Sequence, residues 1–215
     1  MTQEEALKEL IDRKIIEKFD ELKQENYHCD NKLQEYVRAY CEENAAETYE
    51  IISLIVDADT SLITRENSNR HSALFDAILH DKRPIIDLFL EKNPSIVFYQ
   101  DSRKQTMLHY FARRTQFDKY VLNIARKNPK ALKTYDFRGF APVHIAVDSS
   151  NPKFLEGLFK RCPQALLIKT QTDQSASELA FKKGDYKTSQ WFHAVQPTIK
   201  ARIESMKSKS TEKTK

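Results

Sequence analysis

The hydrophobic positions of this chain recur at helical spacing, and the pattern itself repeats along the sequence. Leu108, Phe111 and Ala112 are spaced i, i+3 and i+4, which puts their side chains on one face of a helix. A second apolar face follows over 117–125, after a polar joint at 113–116. The pattern predicts a helix–turn–helix unit whose apolar side needs a neighbouring unit to cover it.

Two sequence landmarks share a period of 34 or 35 residues. Proline recurs at Pro94, Pro129 and Pro163, each time after an apolar segment with basic residues near its end. The second landmark opens the first helix of each unit, and its register residues are Leu74, Leu108, Val143 and Ser177. Because two independent landmarks keep one period, the chain is predicted to be a stack of repeats.

The third unit, residues 136–146, reads Asp-Phe-Arg-Gly-Phe-Ala-Pro-Val-His-Ile-Ala. It resembles the ankyrin repeat, whose signature is D-x-x-G-x-T-P-L-H-x-A. The second unit, 101–112, resembles it closely, with Lys104 in place of the usual glycine and Met107 in place of proline. The first and fourth units are degenerate and count mainly through their period.

The residues of this signature have local physical roles. Aspartate and glycine shape a hairpin loop, because glycine readily supplies a positive φ. Lys104 and Arg70 at the glycine position imply strain or a shifted turn. The resemblance gives His109 and His144 the structural role of joining one repeat to the next loop. The tetratricopeptide repeat shares the period but lacks the hairpin between units, so the Asp-x-x-Gly segment favours the ankyrin interpretation.

The resemblance predicts an all-α ankyrin-repeat solenoid capped by an N-terminal and a C-terminal helix. The expected parts are capping helices with a degenerate entry repeat over 1–66, about four repeats over 67–195, and a short helix with a disordered basic tail over 196–215. A capping box at 2–5 opens an amphipathic helix that continues to about Gln24. Pro197 is expected to start the last helix, and disorder is expected from Met206.

Composition narrows the class of protein. The chain of 215 residues has only three glycines, which argues against glycine-rich phosphate loops, and 31 % charged residues suit a soluble helical protein. No apolar run is long enough for a membrane span, and no apolar signal region begins the chain. The three cysteines are far apart, so a reducing, cytoplasmic location is expected, or secretion without a Sec signal.

The net charge of +4 lies in the C-terminal tail. Six basic and two acidic residues follow position 197, whereas residues 1–197 hold 29 of each kind. A neutral body is unfavourable for phosphate-backbone binding, so nucleic acid is not the expected partner. The basic tail leaves one alternative function open, electrostatic binding to nucleic acid or to an anionic membrane.

Catalytic and metal-binding motifs are missing from the sequence. It contains no phosphate-binding loop, zinc-protease, serine-hydrolase or kinase signature. The six histidines have no ligand spacing with the cysteines. We therefore expect no cofactor, no metal, no small-molecule substrate and no enzymatic activity.

The ankyrin resemblance implies a module that binds a partner protein along its concave face, formed by hairpin tips and exposed first-helix positions. The two middle units carry aromatic residues and arginines there, which are enriched at interface cores. The candidate protein-binding residues are Arg103, Gln105, Tyr110, Arg113, Arg114, Phe137, Arg138, Phe140 and Ile145. Such a groove would suit an acidic helix or loop, although Phe137 and Phe140 both have an alternative position packed under the next hairpin.

Degenerate ankyrin units with atypical ends also resemble effectors that intracellular bacterial pathogens deliver into host cells. The tail, rich in Lys, Ser, Thr and Glu, resembles some type IV secretion signals. This likeness implies a host protein as partner. A eukaryotic cytosolic adaptor has nearly the same sequence features, so both remain open, and a monomer is expected in either case.

Overall fold

Apolar residues at intervals of three and four produce a helical structure, as the all-α prediction requires. The computed structural model describes residues 29–67, 70–114 and 119–212, and the predicted N-terminal helix lies outside these ranges. Within them the regular structure is helical, apart from a single bridge between Lys169 and Ser175. None of the described helices is both long and apolar enough to span a bilayer.

The helices occur as pairs joined by short turns. The α-helices in the described residues are α1 (Cys29–Ala39), α2 (Ala45–Ala58), α3 (Ala73–Leu79), α4 (Arg83–Lys92), α5 (Met107–Arg113), α6 (Lys119–Lys127), α7 (Pro142–Asp148), α8 (Pro152–Arg161), α9 (Ala176–Lys182) and α10 (Tyr186–Glu212). Short 3-10 helices lie at Glu42–Asn44, Thr60–Ile63, Pro94–Phe98, Pro129–Lys133 and Pro163–Leu167. The chain divides into two compact units between Ile96 and Val97. From here on, the first and second units are these two parts of the chain and not the repeats of the sequence analysis.

In the first unit, α1 packs against α2 and α3, and α4 packs against both of these helices. Leu33, Ile52, Leu74 and Phe89 are completely buried between them. Burial of one such side chain contributes about 1.5–3 kcal/mol, so the packed faces stabilise helices that are too short to form alone.

In the second unit the first helices of successive pairs form one row and the second helices form another. Helix α7 lies between α5 and α9, while α6 packs against α8. Leu108, Val143, Phe154 and Leu158 fill the interior.

One position in each hairpin has a left-handed backbone, although the residue types there differ. Arg70, Lys104, Gly139 and Asp173 all have positive φ, between 55° and 77°. Of the two outcomes expected for Lys104 and Arg70, the structure has the strained left-handed residue rather than a shifted turn. Left-handed backbone costs a residue with a Cβ atom about 1–2 kcal/mol, so three of the four hairpins carry this strain.

The last helix differs from the prediction. Helix α10 is continuous from Tyr186 to Glu212 with Pro197 inside it, so the predicted helix start at Pro197 is wrong, and residues 206–212, expected to be disordered, lie in this helix. Ile199, beyond the proline, is buried, which fixes that turn against the unit. The sequence from 198 to 212 contains neither glycine nor proline and is rich in good helix formers, so the helix continues.

Candidate functional site

Three hairpins of the second unit, 101–105, 136–140 and 170–174, form the candidate site and are called the hairpin face below. Neighbouring hairpins are hydrogen-bonded through their backbones. The amide of Phe137 donates to the carbonyl of Arg103 at 3.0 Å, and the amide of Gln171 donates to that of Gly139 at 3.1 Å. These bonds connect the three loops edge to edge, so their tips are held in a fixed order.

An aspartate organises each of the first two hairpins. The Asp136 carboxylate accepts hydrogen bonds from the amides of Arg138 and Phe140, both at 2.9 Å. Asp101 accepts from the amides of Arg103 and Gln105 in the same way. Both carboxylates are buried and committed to their own loops, so they add shape but little free negative charge to the face.

Two buried histidines connect the helices to the loops. Nδ1 of His144 accepts from the amide of Ala141 at 3.0 Å, and its Nε2 lies 3.1 Å from the carbonyl oxygen of Ile168. His109 makes the equivalent contacts with Thr106 and Phe140. Burial lowers the pKa of both imidazoles, that of His144 to about 4, so both are neutral at pH 7. Their geometry matches the structural role expected from the sequence.

Tyr110 is only partly available to a partner. It is half-buried, and its hydroxyl donates a hydrogen bond to the Asp101 carboxylate at 2.8 Å. Burial and this hydrogen bond raise the pKa of the Tyr110 phenol. The tyrosine therefore supports the first hairpin and presents only part of its ring.

The most exposed aromatic residue of the face is Phe137, at the tip of the middle hairpin. Its side chain is 62 % exposed, and Arg103 on the preceding hairpin is exposed as well. The Arg138 guanidinium lies 4.7 Å from the centre of the Phe140 ring and forms ion pairs with Asp136 and Asp148. Phe140 itself is half-buried, which agrees with its alternative position under the hairpin.

Two predicted binding residues do not lie on the surface. Gln105 is 2 % exposed and Ile145 is completely buried, so the prediction that they line an exposed face is wrong. Ile145 belongs to α7, whose flanks are covered by α5 and α9. Gln105 closes the first hairpin through its amide, and its Oε1 atom has no hydrogen-bond partner among the described residues. Local spacing could not reveal the burial of Ile145, because the neighbouring helices α5 and α9 cause it.

The exposed charged residues of the first two hairpins, Arg103, Lys104 and Arg138, are basic, whereas the third hairpin exposes Asp173, which is paired with Lys169. Arg103 and Arg113 are exposed, and Arg114 is half-buried at the end of α5. The nearby carboxylates of Asp101 and Asp136 are buried, and that of Asp148 is paired with Arg138. Phe137 is thus an exposed apolar residue that precedes Arg138 and is bonded through its amide to the carbonyl of Arg103.

No cluster of metal-binding side chains occurs among the residues that the structure describes. Ser177 Oγ lies 3.2 Å from Nε2 of His193, an exposed residue of α10. Over the described ranges no carboxylate is bonded to His193, so this pair has no acid to orient the imidazole.

Neither the family models nor the curated proteins supply a relative from which a function can be taken. The sequence matches no protein-family model. A search of curated proteins likewise finds no significant match. Function is therefore inferred from the residues and their geometry.

Proposed function

We propose that this chain is an ankyrin-repeat module that binds a partner protein through its hairpin face and catalyses no reaction. The observation that carries the proposal is the exposure of Phe137 among arginines, at the tip of a hairpin held on both sides by its neighbours. Exposed aromatic and arginine side chains are typical of the energetic centre of protein interfaces.

Several features of the second unit support the ankyrin part of the proposal. The Asp–x–x–Gly turn keeps its hydrogen bonds at 101–105 and 136–140, and the left-handed residue recurs at Lys104, Gly139 and Asp173. Both signature histidines bond to the segment that follows their helix pair. The hairpins and the helix pairs recur together, as the resemblance implies.

The chemistry of the face indicates the chemistry of its partner. Arg103 and Arg113 are exposed, whereas the carboxylates of Asp101 and Asp136 are buried and accept hydrogen bonds within their own hairpins. A partner segment with an apolar residue between carboxylates would pair with both features. We therefore propose an acidic helix or loop of another protein as the bound element.

The test compares which proteins the chain captures from a cell lysate, measured by quantitative mass spectrometry. The variant Phe137→Ser/Arg103→Glu removes the exposed ring and reverses one charge on the hairpin face. We expect it to lose the captured protein, because the substitution removes the apolar anchor and repels an acidic segment.

The matched control is Phe181→Ser/Lys182→Glu, at the end of α9. Phe181 is 61 % exposed and Lys182 is exposed, so the chemical change is the same at another place. We expect the control to capture the same protein as the unchanged chain. Equal capture by the two variants would show that the hairpin face is not the binding surface.

A further inference from the structure

The two compact units carry opposite charge. Residues 1–96 contain 12 basic and 21 acidic residues, a net charge of −9. Residues 97–215 contain 23 basic and ten acidic residues, a net charge of +13. The neutral total over 1–197 conceals this division, because the acidic first unit cancels the basic second one. Such a separation is typical of chains that bind anionic surfaces or polymers.

Many of the positive charges of the second unit lie where its second helices end. This surface, called the basic edge below, comprises the last turns of α6 and α8 and the 3-10 helix that follows α6. Its exposed cations are Arg126, Lys127, Lys130, Lys133, Lys160 and Arg161. No acidic residue occurs in the sequence over 119–135 or 157–172.

Contacts between elements show that these cations share one surface. Helices α6 and α8 pack together, and the 3-10 helices that follow them also touch. Cys162 follows α8, and burial raises the pKa of its thiol. The positive charges of Arg126 and Arg161 both oppose this rise, so both arginines lie near the thiol. Arg202 of α10 donates a hydrogen bond to the carbonyl of Phe159, so that helix adjoins the same edge.

The cations of the basic edge have no partners in the described part of the chain. The carboxylates of the second unit that form ion pairs are Asp136, Asp148 and Asp173, and all three bind other residues. The nearest acidic residues along α8 and α10 are Glu156 and Glu204. Six unpaired positive charges on one surface repel one another, so they destabilise the isolated fold slightly and favour binding of an anion.

We propose that the basic edge docks the protein onto an anionic lipid surface. Four of its six cations are lysines, whose flexible stems let the ammonium groups reach headgroups from a folded body. Leu167, in the adjoining 3-10 helix, is 37 % exposed and can enter the interfacial layer between these charges. Each basic residue strengthens membrane binding several-fold, so the edge as a whole supports stable attachment.

Several observations favour lipid over nucleic acid. The nearest aromatic rings do not form a stacking platform, because Tyr135 and Phe159 are half-buried and the Arg202 guanidinium covers Phe159 at 5.7 Å. The six cations of the edge lie in the last turns of α6 and α8 and in a 3-10 helix, so they are not aligned along one helix that could enter a nucleic-acid groove. This surface differs from the hairpin face, so the two proposals can fail independently.

The experiment measures co-sedimentation of the full chain with phosphatidylcholine vesicles, with and without phosphatidylserine. The edge variant is Lys127→Glu/Lys130→Glu/Lys160→Glu. The matched control is Lys153→Glu/Lys182→Glu/Lys187→Glu, three exposed lysines of the same unit away from the edge. We expect binding to require phosphatidylserine, to weaken steeply with salt, and to fall by at least about 100-fold in the edge variant.

The control distinguishes binding through the basic edge from an effect of net charge alone, because both variants have the same total charge. Equal loss in the two variants would overturn the proposal. A third variant changes Lys207, Lys209, Lys213 and Lys215 to glutamine, and sole loss of binding there would assign the lipid contact to the tail. Circular dichroism of each variant checks that it is folded before its binding is compared.

Two further outcomes would also contradict the lipid assignment. The first is tighter binding to duplex DNA or single-stranded RNA than to phosphatidylserine vesicles at equal salt. If that binding also requires an intact basic edge, the edge is a nucleic-acid surface. A concentration-dependent dimer that the edge variant abolishes would identify the acidic unit of a second copy as the occupant. Light scattering of the free protein measures this last possibility.

Discussion

The ring of His144 bridges the start of its own helix and the carbonyl oxygen of Ile168, 24 residues further along the chain. Because Nδ1 accepts a hydrogen bond from the Ala141 amide, the neutral ring carries its proton on Nε2 and donates it to Ile168. Protonation of Nδ1 would remove the acceptor and place a charge in a buried site. The contact is therefore sensitive to pH.

We predict that the folded state loses stability as the pH falls from about 6.5 towards 4. The pKa of His144 is about 4 in the fold and 6.5 in the unfolded chain, so the unfolded state binds more protons over this interval. The full contribution is present above pH ~6.5, and its loss amounts to at most about 3 kcal/mol. His109, whose pKa is also lowered by burial, acts in the same direction.

Urea unfolding near neutral pH and near pH 5 measures this dependence. In His144→Gln, the difference in unfolding free energy between the two conditions should become smaller than in the unchanged chain. The exposed His80 provides the control, and His80→Gln should keep the original pH dependence. An unchanged pH dependence in His144→Gln would mean that this imidazole is not the sensitive group.

Replacing Lys104 by glycine should stabilise the protein. Lys104 has φ of +55°, and the strain of that conformation exceeds the entropic cost of glycine. We expect a gain of about 0.5–1 kcal/mol in the free energy of unfolding. Arg103→Gly, one residue earlier and without a positive φ, should instead lose stability in the same denaturation experiment, because it only adds freedom to the unfolded chain.

The opposite change at Gly139 should be costly. A Cβ atom there would stand 2.9 Å from Cβ of Gln171, and the residue has φ of +77°. We expect Gly139→Ala to destabilise by about 2–3 kcal/mol. Gly184 also has positive φ but has open space around it, so Gly184→Ala should cost only about 1 kcal/mol. Thermal unfolding of both variants separates backbone strain from collision with the next hairpin.

Core and tip positions of the second unit should respond differently to truncation. Leu108 is completely buried, so Leu108→Ala leaves a cavity and should cost about 2–5 kcal/mol. Arg103 is exposed at a hairpin, and Arg103→Ala should stay within about 0.5 kcal/mol. Chemical denaturation of the two variants measures the difference, and similar losses would show that the assignment of interior and surface is incorrect.

The sequence predicts the helix pairs well, because the apolar positions keep helical spacing and burial follows it in second helices such as α4 and α8. The first helices α3 and α7 are instead buried on all sides over 73–78 and 142–147. The sequence also locates the hairpin residues and the exposure of Phe137, which follow from the local turn. The burial of Ile145 was not predictable in this way, because α5 and α9 pack against α7. Gln105 is also buried, and its local spacing did not indicate this. The continuity of α10 through Pro197 depends likewise on the buried anchor at Ile199.

The separation of charge between the two units could not be predicted from the sequence alone. A division at residue 197 yields a neutral body, whereas the boundary between Ile96 and Val97 separates −9 from +13. Only the packing of the chain shows where that boundary falls. The location of Lys127 and Lys160 on one edge depends on the contact between α6 and α8, which no spacing in the sequence reveals.

The recurrence of the left-handed residue has a consequence for how this molecule can change over evolutionary time. Lys104, Gly139 and Asp173 follow one another at 35 and 34 residues in the same backbone state. A segment of that length can be duplicated or deleted so that the rejoined ends meet in compatible geometry. Genetic recombination can therefore change the number of repeats without changing the residues of the interior. Each duplication would add one hairpin to the exposed face.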